Sequence, residues 1–342
     1  MNKLHFQIDP DIGKAETISS EFYKDEHYFE LSKEKIFART WQLVGSLDEI
    51  QNIKSHTILE GFMDEPILLT KAQDKTIKCL SNVCTHRGKI LVEKDCKADG
   101  IRCSYHGRRF DLSGNFLSMP EFEGVENFPN ERDNLTEIPC SIWENFIFLS
   151  LDPIAPFSEF IGEMKETLKS FDFENLKLVS TKDYEVKAHW ALYCENYLEG
   201  FHIPFVHKSL NEELDYGNYK TETFRFSSLQ TGFGDDKKIA AYYFFIFPNL
   251  MFNFYPWGIS VNIVKPIKKD ITKVSYLTFI NDESRLNTGA GADLETVELE
   301  DQKVVESVQQ GINSRFYEKG RYSPTREQGT HHFHRLIAEF MK

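Results

Sequence analysis

The sequence predicts an α+β protein: a short helical segment and a compact β domain, followed by a larger domain of helices and strands. Three observations carry this expectation. From about 42 to 152, short strand-like runs such as KTIKCLSN and NFIFLSL alternate with Gly, Asn, Asp and Pro. From Ala240 to Val264 runs a long aromatic and β-branched stretch. Beyond 153 such runs alternate with helical patterns, the last over about 293–315.

Taken in order, residues 1–41 form an N-terminal helical segment, with Tyr28, Phe29, Ile36, Phe37 and Trp41 as its apolar face over 20–41. Residues 42–152 are the β domain, and Pro153 and Pro156 mark the exit into the domain spanning 153–342. The stretch 240–264 could imitate a membrane span. It contains Pro248, Asn249, Asn253, Pro256 and Gly258, which break a helix and are costly in lipid. The expectation is instead two or three buried strands, with turns at Pro248-Asn249 and at Pro256-Trp257-Gly258.

Composition narrows the function classes. The 342 residues carry 40 Lys+Arg against 53 Asp+Glu, a net charge of −13. Nucleic acid and anionic membrane would both repel such a chain, so neither is an expected partner. Hydrophobic residues at 41% and charged residues at 27% indicate a globular chain. The opening segment is charged throughout and lacks the apolar core of a signal peptide, so the expected location is the cytoplasm, with reduced thiols. Six cysteines in such a chain are better read as metal ligands or buried apolar groups than as bridges.

Two of them stand out. CTHRG at 84–88 and CSYHG at 103–107 each pair a cysteine with a histidine, Cys84 with His86 and Cys103 with His106. A Cys2His2 set can hold tetrahedral zinc. However, zinc fingers put two Cys on one loop and two His on one helix, whereas both loops here are mixed. That arrangement suits a [2Fe–2S] cluster with two thiolates on one iron and two imidazoles on the other. Zinc and a chance grouping stay open as alternatives. Gly88 and Gly107 follow the histidines and permit tight turns. Cys79 and Cys140 read as buried thiols in strands, and Cys96 and Cys194 receive no role.

A second grouping lies in WALYCENYLEGFHIPFVH, 190–207. Asn196, Glu199 and His202 are three apart and are expected to share a helix face. His202 and His207, five apart, would diverge on a continuous helix, but Pro204 should end or kink it and let them converge. The bland alternative is two structural histidines. A carboxylate for a two-His-one-carboxylate iron site is offered by the last helical pattern. There Asp301 falls inside the apolar stripe of Leu294, Val297, Val304, Val305, Val308 and Ile312. A carboxylate on a buried face is costly unless paired or metal-bound. Glu298 is the fallback ligand, and Glu295, Glu300 and Glu306 are expected to be solvated. His331, His332 and His334 match no triad spacing and read as packing or surface groups.

These motifs resemble the Rieske non-haem iron aromatic-ring-hydroxylating oxygenases, α-subunit type. The likeness runs from FYKDEHYFELSKEKIFARTWQLVG through both Cys-His loops and ENYLEGFHIPFVH to LEDQKVVESVQQGINSRFY and THHFH, nearly the whole chain. Respiratory-complex Rieske proteins carry an extra cysteine in each loop, where this chain has Lys89 and Tyr105. One departure is Arg108, where many family members have Trp. The resemblance implies a Rieske β domain inserted into a helix-grip (START-like) catalytic domain. It implies a [2Fe–2S] cluster on Cys84, His86, Cys103 and His106, and a mononuclear Fe(II) on His202, His207 and Asp301. It further implies a homo-oligomer, often a trimer, in which Glu199 bridges the cluster of one subunit to the iron of the next, with Asn196 beside it. A separate NAD(P)H-dependent reductase or ferredoxin would feed the cluster, and O2 and a small molecule would be the substrates.

Glu199 in a NYLEGFH context is similar to the branch acting on quaternary ammonium compounds such as choline, carnitine and betaine. An aromatic pocket suits such cations. Tyr193, Tyr197, Phe201, Phe205, Tyr255 and Trp257 are the candidate walls, with ordinary core packing as the alternative. The expected reaction is monooxygenation or N-demethylation of a small quaternary or methylated amine. Hydroxylation or O-demethylation of an aromatic compound, and electron transfer alone, are the competing readings. Arg87, Lys89, Arg108 and Arg109 beside the cluster ligands are expected either to dock an acidic electron donor or to bridge an interface.

Overall fold

The structure, a computed structural model, describes residues 6–72, 76–207, 215–234, 237–282, 284 and 294–342. It divides into two compact units, Ala38–Ile154 on one side and Met1–Phe37 with Ala155–Lys342 on the other. The first is therefore an insertion in the chain of the second.

The N-terminal segment of the larger unit is shorter-stepped than one helix. It comprises α1 (Glu21–Lys24), α2 (Glu26–Ser32) and a π-helical turn over Lys33–Phe37. Asp25 caps α2 by accepting from the His27 N–H. Phe29, Ile36 and Phe37 are buried, while Tyr28 is only partly so.

The strands of the inserted unit pair antiparallel throughout. Strands β1 (Gln42–Ser46), β2 (Ile53–Ile58), β3 (Glu65–Lys71), β4 (Ile77–Ser81), β5 (Ile101–Arg102), β6 (Arg109–Phe110), β7 (Phe116–Ser118), β8 (Cys140–Trp143) and β9 (Phe146–Leu149) make three three-stranded sheets. Their orders are β1-β9-β8, β2-β3-β4 and β5-β6-β7. Leu68, Leu80, Ile101 and Phe110 pack with Cys84 and Cys103 in one apolar cluster, so the two cysteines are rooted in core.

The larger unit is built on one seven-stranded antiparallel sheet. In chain order its strands are β10 (Lys177–Val186), β11 (Lys220–Thr223), β12 (Ser227–Phe233), β13 (Ile239–Ile246), β14 (Leu250–Tyr255), β15 (Gly258–Lys268) and β16 (Ile271–Ile280). In space the order is β10-β16-β15-β14-β13-β12-β11. The 240–264 stretch thus forms three strands, with turns at the two Pro-containing segments. Helices α3 (Ser158–Thr167), α4 (Trp190–Tyr197), α5 (Ile203–Val206), α6 (Leu294–Ile312) and α7 (Gln328–Phe340) complete the unit. Among the described residues no helix is long and apolar enough to cross a membrane.

The stripe expected on α6 is only partly buried. Val305 and Ile312 are buried but Val308 is exposed, and Gln309 turns inward to accept from the His189 N–H at 2.8 Å. The helix needs that inward amide because α4 begins beside it with an otherwise unpaired N–H. Residue 293 and the Leu294 side chain lie outside the described residues.

The three terminal histidines are packing groups. Nδ1 of His334 lies within hydrogen-bond distance of the Tyr322 hydroxyl, and Nε2 lies 3.3 Å from the Tyr23 hydroxyl and 3.1 Å from Glu195. His331 bonds the Asp9 carbonyl at 2.8 Å. Helix α7 also crosses the end of α4 closely. A Cβ on Gly329 would lie 2.3 Å from the Leu198 carbonyl oxygen, which only glycine permits. Gly329→Ala should lower stability by about 1–3 kcal/mol through this overlap, read as a fall in the urea midpoint by circular dichroism. An unchanged midpoint would show that the two segments separate freely.

Candidate metal centres and cavity

The two Cys-His loops have the same backbone design. In the first, the Cys84 N–H donates to the Lys89 carbonyl at 2.8 Å and the Gly88 N–H to the Cys84 carbonyl at 3.0 Å. In the second, Cys103 donates to Arg108 and Gly107 to Cys103, at the same two distances. Gly88 and Gly107 adopt φ of 72° and 78°, the left-handed conformation that closes each turn. Both thiols are buried and lie close enough to perturb each other's ionisation. The rings of His86 and His106 meet edge to face at 4.8 Å between centroids. Nδ1 of His106 is buried with no hydrogen-bond partner. A buried imidazole nitrogen without a partner is costly unless it ligates something. Two buried thiols and two adjacent imidazoles, one with an orphaned nitrogen, fit a cluster that takes two sulfurs and two nitrogens from the protein.

Of the four cations expected around these loops, Arg108 does not reach solvent. It is 2% exposed, is paired with Asp133, and lies 4.8 Å over the Phe116 ring and 5.5 Å over Phe128. Neither donor docking nor an interface fits that burial. Arg108 is instead a cation inside the small unit, held by one carboxylate and the faces of Phe110, Phe116 and Phe128. Lys89 pairs with Glu93 at 3.1 Å, and Arg87 and Arg109 remain exposed.

In the larger unit, α4 stops at Tyr197, so Asn196, Glu199 and His202 do not share a helix face. The chain breaks before Pro204, not at it. Pro204 sits in the first turn of α5, where a missing N–H costs nothing. His202 and His207 then flank this single turn as its two caps. Gly200 lies in the break, where a Cβ would come within 2.7 Å of the Tyr219 ring. The turn brings the two rings together, with Nε2 to Nε2 at 3.2 Å. From α6, Asp301 Oδ1 reaches 3.0 Å from His207 Nε2 and 3.5 Å from His202 Nε2. Among the described residues these three make one group with metal-binding geometry.

Each member is held by a polar neighbour. His202 Nδ1 lies 2.7 Å from Glu199 Oε1, His207 Nδ1 lies 2.7 Å from Glu300 Oε2, and Asn196 Nδ2 donates to Asp301 Oδ1 at 2.6 Å. With each Nδ1 turned to a carboxylate, both imidazoles point Nε2 toward the same place as Asp301 Oδ1. Burial opposes charge on His207, yet Asp301 and Glu300 lift its pKa above the ordinary imidazole value. A set of convergent acceptors that attracts positive charge fits a cation with two nitrogens and one oxygen, leaving other positions open. Glu300, expected to be solvated, is therefore an orienting group. Its signal was its position next to Asp301, with no periodicity to mark it. Glu298 lies outside the group and is held by tyrosines.

The same residues line a cavity of about 690 Å³ of empty space, its mouth included. Of the expected walls, Tyr193, Tyr197 and Tyr255 line it, and Tyr219 and Tyr243 join them. Phe201, Phe205 and Trp257 do not. Phe205 is 78% exposed, Phe201 is 40% exposed, and Trp257 is buried behind the wall, stacked on Tyr255 at 4.9 Å. Pattern alone could not say which side of the one-turn helix Phe205 faces. A polar row crosses the sheet beneath, since Gln230 pairs with Tyr243 and Tyr243 with Asn253 in register. Asn253 and Asn262, each within an apolar strand, were the available signal for it. Burial pushes the hydroxyl pKa values of Tyr193, Tyr197, Tyr219 and Tyr255 well up, so they stay neutral.

Residues 40–129 match the Rieske [2Fe-2S] domain, and residues 214–342 match the ring hydroxylating alpha subunit catalytic domain. The chloroplastic choline monooxygenase of Arabidopsis thaliana is 28% identical, covering 100% of this chain and 87% of the relative. The carnitine monooxygenase oxygenase subunit of Escherichia coli strain K12 is 29% identical, over 96% and 95%. The crystal structure of the quaternary ammonium Rieske monooxygenase CntA with L-carnitine superposes with a TM-score of 0.79 at 27% identity, over 98% of this chain and 97% of that one. Naphthalene 1,2-dioxygenase with indole bound, at 18% identity and a TM-score of 0.74 over 99% and 94%, shares the fold.

Two expectations follow. Glu300→Ala should weaken iron binding about 10–100-fold, measured by chelator competition, while the cluster absorbance stays unchanged. Equal iron affinity in the variant would remove Glu300 from the site. Asp133→Ala, which leaves the Arg108 charge buried alone, should destabilise the protein by about 3 kcal/mol, seen in denaturant titration followed by the cluster's visible bands. Wild-type stability there would deny the pair its structural role.

Proposed function

Because the chain belongs to the Rieske-type ring-hydroxylating oxygenases, a [2Fe–2S] and mononuclear-iron enzyme family, we propose that it is a terminal oxygenase acting on a small quaternary or methylated amine. The supporting observation is the tyrosine-walled cavity that opens onto the His202, His207 and Asp301 group. Aromatic faces attract a cationic ammonium without demanding a hydrogen bond from it. The choline and carnitine monooxygenase relatives are consistent with this reading.

Cys84, His86, Cys103 and His106 would hold the cluster, and His202, His207 and Asp301 the iron. When bound, the cluster supplies single electrons and the iron supplies O2 chemistry. The protein's own residues position and exclude. Glu199 and Glu300 keep Nδ1 protonated on the two imidazoles, so that Nε2 stays available. Asn196 keeps the Asp301 carboxylate turned inward. Tyr193, Tyr197 and Tyr255 wall the cavity with aromatic faces. The overall conversion consumes one O2, two electrons and two protons, and yields a hydroxylated substrate and water. Hydroxylation of an N-methyl group gives a carbinolamine that releases formaldehyde and the demethylated amine.

In the same reading a separate NAD(P)H-dependent reductase or ferredoxin supplies the electrons. The chain works in the cytoplasm as a homotrimer, with Glu199 as the bridging carboxylate between subunits.

With a generic reductase, NADH-dependent O2 uptake should be stimulated by methylated amines and not by aromatic acids. Formaldehyde should accompany it where an N-methyl group is attacked. Stimulation by aromatic acids alone would overturn the assignment.

A further inference from the structure

Glu298 is a carboxylate that the iron group does not use. It lines the cavity three residues before Asp301 on α6. Its Oε2 accepts from the Tyr193 hydroxyl at 2.6 Å and from the Tyr276 hydroxyl, and its Oε1 lies 3.5 Å from Asn262 Nδ2. Three neutral donors thus fix the carboxylate in place without neutralising it. Among the described residues it has no cationic partner. Burial and the charge of Asp301 push its pKa up to about 7 against the lowering effect of those donors. A fixed, partly buried carboxylate of this kind is stabilised in its charged form when a positive charge comes to it.

The rest of the cavity wall has the same polarity. Among its described lining residues there is no lysine or arginine, and its acids are Glu199, Glu298 and Asp301. Glu199 and Asp301 are already committed to the histidines and the iron group. The tyrosine rings add the negative faces of their π systems. Gln230, which also lines the cavity, is 2% exposed and donates from Nε2 to the Tyr197 carbonyl, while its Oε1 has no hydrogen-bond partner.

We propose that Glu298 is a specificity-determining residue that selects, within the methylated amines, substrates carrying a net positive charge and no carboxylate. A betaine or amino-acid zwitterion would bring its carboxylate among Glu199, Glu298 and Asp301, with no lysine or arginine among the described lining residues to receive it. An amino alcohol with a quaternary nitrogen would place its charge against Glu298 and the tyrosine faces. This inference rests on the amine-oxygenase reading and narrows it.

The experiment is calorimetric binding to the holoenzyme, with choline, tetramethylammonium, L-carnitine, glycine betaine and benzoate as probes. Choline and tetramethylammonium should bind at least about tenfold more tightly than either zwitterion, the size expected from one unshielded charge contact. In Glu298→Gln that preference should fall to within about threefold, with iron content unchanged. Zwitterions binding as tightly as choline to the wild-type protein would overturn the proposal whether or not the variant folds. So would a preference that survives in Glu298→Gln. Binding of benzoate with no amine bound at all is a different result, which overturns the amine reading itself.

Discussion

Everything in the larger unit answers to one electrostatic constraint. Two imidazole nitrogens and a carboxylate oxygen are held within 3.5 Å of each other. Such a group must be brought together from separate segments of the chain. The group is kept together by a one-turn helix with a histidine at each end, by a long helix that delivers Asp301, and by three polar groups that each hold one ligand. The glycines at the crossings follow from the same constraint. Gly200 lets the Tyr219 ring approach the chain break, and Gly329 lets α7 press on the carbonyl of Leu198, immediately before Glu199.

The inserted unit solves a related problem by repetition. Two loops with matching hydrogen bonds and matching left-handed glycines present a thiol and an imidazole each. Because the cysteines sit in the apolar core and the histidines nearer its rim, the sulfur side is shielded from water and the nitrogen side is not. That asymmetry is the one a mixed-ligand cluster needs, since burial and exposure both tune its potential.

Much of this could be read from the chain. The strands of 240–264 and their turns were legible because proline, asparagine and glycine punctuate an otherwise continuous apolar run. Both loops were legible because Cys and His recur at short spacing beside glycine. What sequence could not give was direction. Pro204 was expected to stop a helix and instead starts one, because the helix had already ended at Tyr197. Glu300 looked solvated because periodicity places it off the apolar stripe, yet it reaches His207 from the stripe's edge. Arg108 looked like a surface cation because nothing nearby in sequence announced Asp133, twenty-five residues on, as its partner. Phe201 and Phe205 looked like walls because aromatic identity carries no information about which face of a short turn a ring occupies.

The insertion of one unit within the other also orders the two in time. The inserted unit has its last strand by Leu149, so it can complete its sheets and both Cys-His loops while the ribosome is still making the remainder. The larger unit cannot. Its first segments, around Ile18 and Tyr23, meet His334, and the end of α4 is braced by Gly329. The His202, His207 and Asp301 group cannot form before α6 has been made, since Asp301 lies on that helix. On this ordering the two Cys-His loops are complete first, and the second group of convergent ligands follows.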